Sequence, residues 1–163
     1  MRSLVAHDLR DSPSRSPDSF TQQREGTAQT VECQILNFGV FQGLGILEGD
    51  GRIWVVSPSN AFGGYVNTFP KGKLDWGLGL RANALKEGFE ESGLRVALTG
   101  FLCDSHRTTS VTRYYLAKRV GGHPANMGWE TQALSLVPRA RLAEFVSHKN
   151  DQVILQALQQ ALG

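Results

Sequence analysis

The chain has 163 residues, 17 lysines and arginines against 15 aspartates and glutamates, and a net charge of +2. Length and a 40% hydrophobic fraction fit one domain with its own core. No apolar run is long enough to span a bilayer, and the near-neutral charge gives no sign of a nucleic-acid surface. Cys33 and Cys103 are too few for a zinc ligand set and read as reduced thiols. The N-terminus lacks an apolar signal-peptide core and carries Asp8, Asp11 and Asp18. A cytoplasmic protein is expected.

Residues 1–29 are polar and rich in Ser and Pro, and are expected to form a flexible arm before a domain spanning 30–163. Val31, Ile35, Phe38, Val40 and Phe41 predict a strand. A second run, 43–47, and a third, 52–56, flank Glu48-Gly49-Asp50-Gly51, with Asp50-Gly51 as a tight hairpin turn. Residues 57–69 predict a long loop and 81–92 a helix. Two strands, 94–106 and 110–120, follow, joined at Arg107-Thr108-Thr109. After a Gly/Pro loop, residues 132–137 predict a last strand. Pro138 opens a helix with Leu142, Phe145 and Val146 on one face. Asn150 or Asp151 is placed to cap a final helix carrying Ile154, Leu155, Leu158, Ala161 and Leu162. The order predicts an α+β domain, a sheet with helices packed on it.

The chemistry concentrates in residues 69–94. Glu87, Glu90 and Glu91 lie three and four apart, on one face of the predicted helix. Two carboxylates ~5.5 Å apart at an effective dielectric of ~20 repel by about 3 kcal/mol, which a cation between them would relieve. An all-oxygen set suits Mg²⁺ or Mn²⁺. Gly72, Gly77 and Gly79 let a loop turn tightly and bring backbone N–H groups near an anion. Lys71, Lys73, Arg81 and Lys86 supply positive charge. Gly93 is placed to end the helix in a left-handed cap.

Gly72, Lys86-Glu87, Glu90-Glu91, Gly93 and Leu94, in this order and spacing, resemble the signature of the Nudix hydrolases. Pro70-Lys71 before it, and Asp75 and Gly77 within it, match frequent family choices. Lys86 stands where the signature has arginine, Leu78 where it has its first glutamate, and Gly88 where it has an aliphatic residue. The resemblance implies the Nudix fold, a mixed β-sheet sandwiched between α-helices. It implies hydrolysis of a phosphoanhydride in a nucleoside diphosphate linked to another group, or in a related polyphosphate. It implies Mg²⁺, with Mn²⁺ as substitute, held by Glu87, Glu90 and Glu91. Glu87 or Glu130, in the loop before the last strand, is the expected catalytic base. Lys71, Gly72, Lys73, Lys86 and Arg113 are the expected phosphate-binding residues. The expected partner is a small nucleotide or polyphosphate, not a membrane or nucleic acid, with a homodimer allowed by family analogy. Two alternatives stand beside this: a non-catalytic nucleotide-binding module, which Leu78 keeps open, and an RNA 5′-end pyrophosphohydrolase.

Overall fold

A computed structural model describes residues 38–163. The N-terminal arm, Cys33 and the expected strand residues Val31 and Ile35 lie outside the described residues. Six strands form one sheet: β1 (Gly39–Leu47), β2 (Ile53–Pro58), β3 (Lys71–Lys73), β4 (Leu94–Arg107), β5 (Ser110–Gly122) and β6 (Thr131–Val137). Their order is β4-β5-β1-β2-β6, with β3 paired to β1. Only the β1–β5 pairing is parallel, so the sheet is mixed. Among the described residues three α-helices pack with the sheet: α1 (Leu80–Ser92), a single turn α2 (Leu142–Phe145) and α3 (Gln152–Leu162).

Period-two alternation sends neighbouring side chains to opposite faces. Tyr114 and Tyr115 are both buried, in different clusters. On one face Tyr114, Phe69, Ile53 and Val55 pack against Leu142, Val146, Ile154 and Leu158. On the other Leu44, Ile46, Trp54, Tyr115 and Ala117 pack with Leu94 and with Ala84 of α1. Each large side chain buried this way contributes about 1.5–3 kcal/mol. The sheet is therefore covered on both faces, as expected. Among the described residues no helix is long and apolar enough to cross a membrane.

Several local expectations need correction. The β1–β2 hairpin closes by Glu48 N–H to the Arg52 carbonyl (2.8 Å), leaving a three-residue loop with Gly51 left-handed at φ 85°. It is not the two-residue turn that Asp50-Gly51 predicts; an extra residue shifts the left-handed position to the end of the loop. Residues 71–73 lie inside the motif loop yet form β3, too short for a period-two signal. Asp151 precedes α3 but makes no capping bond. Its carboxylate instead accepts from Thr68 Oγ1 at 2.7 Å in the interior. Of the expected apolar face of α3, Ile154 and Leu158 are buried while Ala161 is exposed. Cys103 is a free thiol on β4.

Gly88 has a packing reason. A Cβ there would overlap Leu44 Cδ1, and Leu44 is fully buried beneath the helix. Mid-helix glycine forfeits roughly 1 kcal/mol against alanine. Overpacking a filled core costs about 1–3 kcal/mol. Gly88→Ala should therefore lower stability by ~1 kcal/mol despite better helix propensity. Denaturant unfolding checks this; a more stable variant would contradict the packing account.

Candidate active site

The acidic helix and the motif loop are locked together before any side chain meets a substrate. β3 pairs with β1 at Phe41–Lys73, Gln42–Gly72 and Gly43–Lys71. Buried Asn83 of α1 reinforces this. Its Nδ2 donates to Gln42 Oε1 (2.7 Å) and to the Lys73 carbonyl (3.1 Å), and its Oδ1 accepts from Asp75 N–H (3.0 Å). One amide side chain thus satisfies strand, loop and helix at once. α1 ends at Gly93, left-handed at φ 68°, whose N–H returns to the Phe89 carbonyl. A Cβ at Gly93 would also meet the backbone of the following loop, 2.7 Å from Met127 N.

That following loop is how Glu130 reaches the site. Gly128 N–H donates to the Glu90 carbonyl at 2.6 Å, and Ser59 N–H to the Glu130 carbonyl at 2.8 Å. The loop is pinned to the end of α1 on one side and to the end of β2 on the other. Glu91 and Glu130 consequently line one cleft of about 570 Å³, with Lys71, Tyr65, Arg107 and Trp129. Trp129 is 81% exposed at this cleft.

The three motif glutamates have different surroundings. Glu91 Oε2 accepts from Lys71 N–H at 2.8 Å. Burial pushes its carboxyl up to about 7, with the Glu87 and Glu130 carboxylates adding to the rise and Lys71 opposing it. Glu87 is half-buried against Gly72, where a Cβ would fall on its carboxyl group. Burial raises its carboxyl too, with Lys86 opposing. Glu90 is half-exposed and holds Lys86 Nζ at 2.7 Å. Lys86 Nζ also lies 3.2 Å from Glu87 and 3.1 Å from Asp75, and these carboxylates, Glu90 foremost, raise its pKa.

The remaining predicted residues divide. Lys71 lines the cleft, its pKa lowered by burial with Asp151 and Glu91 opposing. Gly72 provides the flat surface for Glu87. Lys73 is exposed at the end of β3 and is not among the cleft-lining residues. Lys86 faces carboxylates rather than the cleft. Arg113 is held by Asp104 through two bonds of 2.9 and 2.8 Å, Cζ 5.5 Å from the Phe101 ring centre. It too is absent from the cleft lining. Sequence reasoning missed Asn83, Tyr65, His148 and Asn150. Tyr65 and His148 sit on irregular segments, where no periodicity marks them. Arg107 falls in the connection between two predicted strands, where nothing in the sequence singles it out.

The donor chemistry fits a hard divalent cation. Mg²⁺ keeps several waters and is bound by one or two carboxylates plus substrate phosphates. Glu91 and Glu87 are desolvated carboxylates, and the Glu87 charge adds to the rise at Glu91 while Glu90 and Asp75 add to the rise at Glu87, an arrangement that added positive charge would relieve. Among the described residues no three candidate ligand side chains converge at binding distance. The protein thus offers a partial set that substrate oxygens and water would complete.

A mixed sheet between helices, with an acidic helix locked to a glycine loop beside a cleft, defines an α+β protein with carboxylates gathered at that cleft. Residues 40–158 match the NUDIX domain, and the chain belongs to the Nudix family of hydrolases. Solved structures share the fold. An ADP-ribose pyrophosphatase from Streptococcus suis has TM-score 0.61 and 18% identity over 77% of this chain and 92% of that one. A C. elegans Ap4A hydrolase has TM-score 0.63 and 17% identity over 76% and 97%. A UDP-X diphosphatase has TM-score 0.58 and 17% identity over 91% and 87%. No curated protein matches the chain.

Proposed function

We propose that the cleft hydrolyses a phosphoanhydride bond in a nucleoside diphosphate linked to another group, or in a related polyphosphate. Glu87 and Glu91 would hold Mg²⁺ or Mn²⁺, with Glu90 joining them only by leaving its ion pair with Lys86. The observation that carries this reading is Glu91: a desolvated carboxylate that lines a cleft of about 570 Å³ together with Glu130, its carboxyl raised further by the Glu87 charge outside that lining. A bound divalent ion would neutralise phosphoryl charge and lower the pKa of water.

This chain's own residues do the rest. Glu130 is exposed at the cleft and takes the proton of the attacking water. The new oxygen–phosphorus bond forms as the bridging oxygen leaves with the other phosphate. Lys71 N–H holds Glu91 in its rotamer. Lys86 holds Glu87 and Glu90, keeping the carboxylates from rotating out of reach. Little covalent help is needed, since phosphoryl transfer depends mainly on positioning and charge.

Turnover of an ADP-ribose-type or dinucleoside polyphosphate substrate should stop on chelation and return with Mg²⁺. Turnover that persists in excess chelator would contradict the metal assignment. Glu130→Gln should lower kcat by about 100-fold, the usual contribution of a general base. Mn²⁺ binding, followed by electron paramagnetic resonance, should not change in that variant. An unchanged kcat would return Glu130 to the role of a surface residue.

A further inference from the structure

The cleft has a second polar end that the hydrolytic reading does not use. Lys71 joins the two ends. Its backbone N–H donates to Glu91, while its Nζ donates to Thr68 Oγ1 at 3.0 Å and lies 4.6 Å from the Tyr65 ring centre. Thr68 Oγ1 in turn donates to the carboxylate of fully buried Asp151 at 2.7 Å. Arg107 Nη2 donates to the Tyr65 hydroxyl at 2.7 Å, and Asn150 Nδ2 donates to the same oxygen at 3.1 Å.

Tyr65 is a scaffold here rather than an open stacking platform. His148 stacks on it with ring centres 3.9 Å apart, and its hydroxyl is engaged twice. His148 Nδ1 accepts from Asn150 N–H at 3.2 Å, and Nε2 lies 3.1 Å from the Gly63 carbonyl. Lys71, Arg107 and exposed Lys149 bring positive charge to this end, against the buried Asp151 carboxylate. Arg107 Nε is buried with no hydrogen-bond partner among the described residues. Arg107 itself lines the cleft, and a guanidinium held in place by a tyrosine hydroxyl suits a tetrahedral anion.

We infer that this end is a second anion subsite, which takes a further phosphate of the substrate beyond the pair acted on beside Glu91. Lys71 and Arg107 are its ligands, Lys149 its exposed third cation, and Thr68 with Asp151 its positioning residues. Its link to hydrolysis rests on the proposed function; its binding of phosphate does not.

The test is therefore a binding measurement with inorganic tripolyphosphate, without metal, by isothermal titration calorimetry. The wild-type protein should bind, and Arg107→Gln should bind at least ~10-fold more weakly. A hydrogen bond to a charged group contributes about 1.5–3 kcal/mol and each 1.4 kcal/mol is tenfold. Arg107→Lys should fall between the two. Lys149→Gln, at an exposed position that does not threaten folding, should also weaken binding, by about threefold for one solvated charge pair. It decides the matter if Arg107→Gln does not fold. No binding by the wild type, or equal binding by wild type and the decisive variant, would overturn the subsite. With turnover established, the kcat/KM preference for a substrate bearing one more phosphate should collapse at least ~10-fold in Arg107→Gln. A protein that binds tripolyphosphate through Arg107 but hydrolyses nothing would overturn the hydrolytic reading alone.

Discussion

Glu91→Gln should lower turnover by at least ~100-fold, because it removes the carboxylate charge that the proposed divalent ion would require. It should also make the metal-free protein more stable near neutral pH. Both effects come from the same desolvation. Glu91 stands at about 7 in the folded protein against 4.5 for an ordinary glutamate. A raised carboxyl contributes stability that is fully present below about pH 4.5 and is lost as pH rises through about 7. Between pH 5 and pH 8 the loss is on the order of 2–3 kcal/mol. Gln keeps the acceptor for Lys71 N–H and carries no charge, so its variant escapes that loss. Melting in excess chelator at pH 5 and pH 8 gives the measurement. The wild type should lose more stability between the two values than Glu91→Gln does. Burial also raises Glu87 and Asp151, but they are present in both proteins and cancel in the difference. Equal pH dependence in the two proteins would show that Glu91 titrates normally.

Gly72→Ala should lower turnover by about 100-fold with only a small change in stability. Gly72 lies on β3, fixed by its pairing with Gln42, so the backbone does not yield easily. The added methyl would fall on the Glu87 carboxyl group. The side chain is the movable partner, and it must swing away. A displacement near 1 Å in a catalytic group costs on the order of 100-fold. A half-buried glutamate that rotates outward costs the fold little, so the melting temperature should fall by ~2–4 °C. The partner experiment is a double-mutant cycle. If the methyl acts by displacing Glu87, Gly72→Ala should add little in a Glu87→Ala background. Full additivity would mean that Gly72 matters for another reason.

The sequence shows the acidic helix, the loop glycines and the sheet strands because each obeys a local rule. The glutamates follow helical spacing, Gly93 ends a helix, and β4 and β5 are long enough to alternate. The cleft does not obey a local rule. Tyr65, Arg107, Asn150 and Lys71 come from four separate segments, and their meeting depends on how those segments cross the sheet. Asp151 shows the same limit. Its position before a helix predicts a cap, and only the tertiary path of Thr68 turns it inward. Gly88 is opaque for a related reason. Nothing within the helix explains it, and its partner, Leu44, lies more than forty positions earlier in the chain. Arg113 illustrates the converse: its strand register pairs it with Asp104, which only the sheet topology reveals.

Leu78 occupies the position of a motif glutamate and marks where a binding module without catalysis would make the opposite prediction. The most direct discriminating measurement is release of phosphate or nucleoside monophosphate from a panel of nucleoside diphosphate derivatives. It would be run with Mg²⁺ and with Mn²⁺, on wild type and Glu91→Gln side by side. The account predicts metal-dependent cleavage of at least one class by the wild type, lost in the variant. Metal-independent cleavage, cleavage that survives Glu91→Gln, or binding of these compounds with no cleavage by the wild type would contradict it.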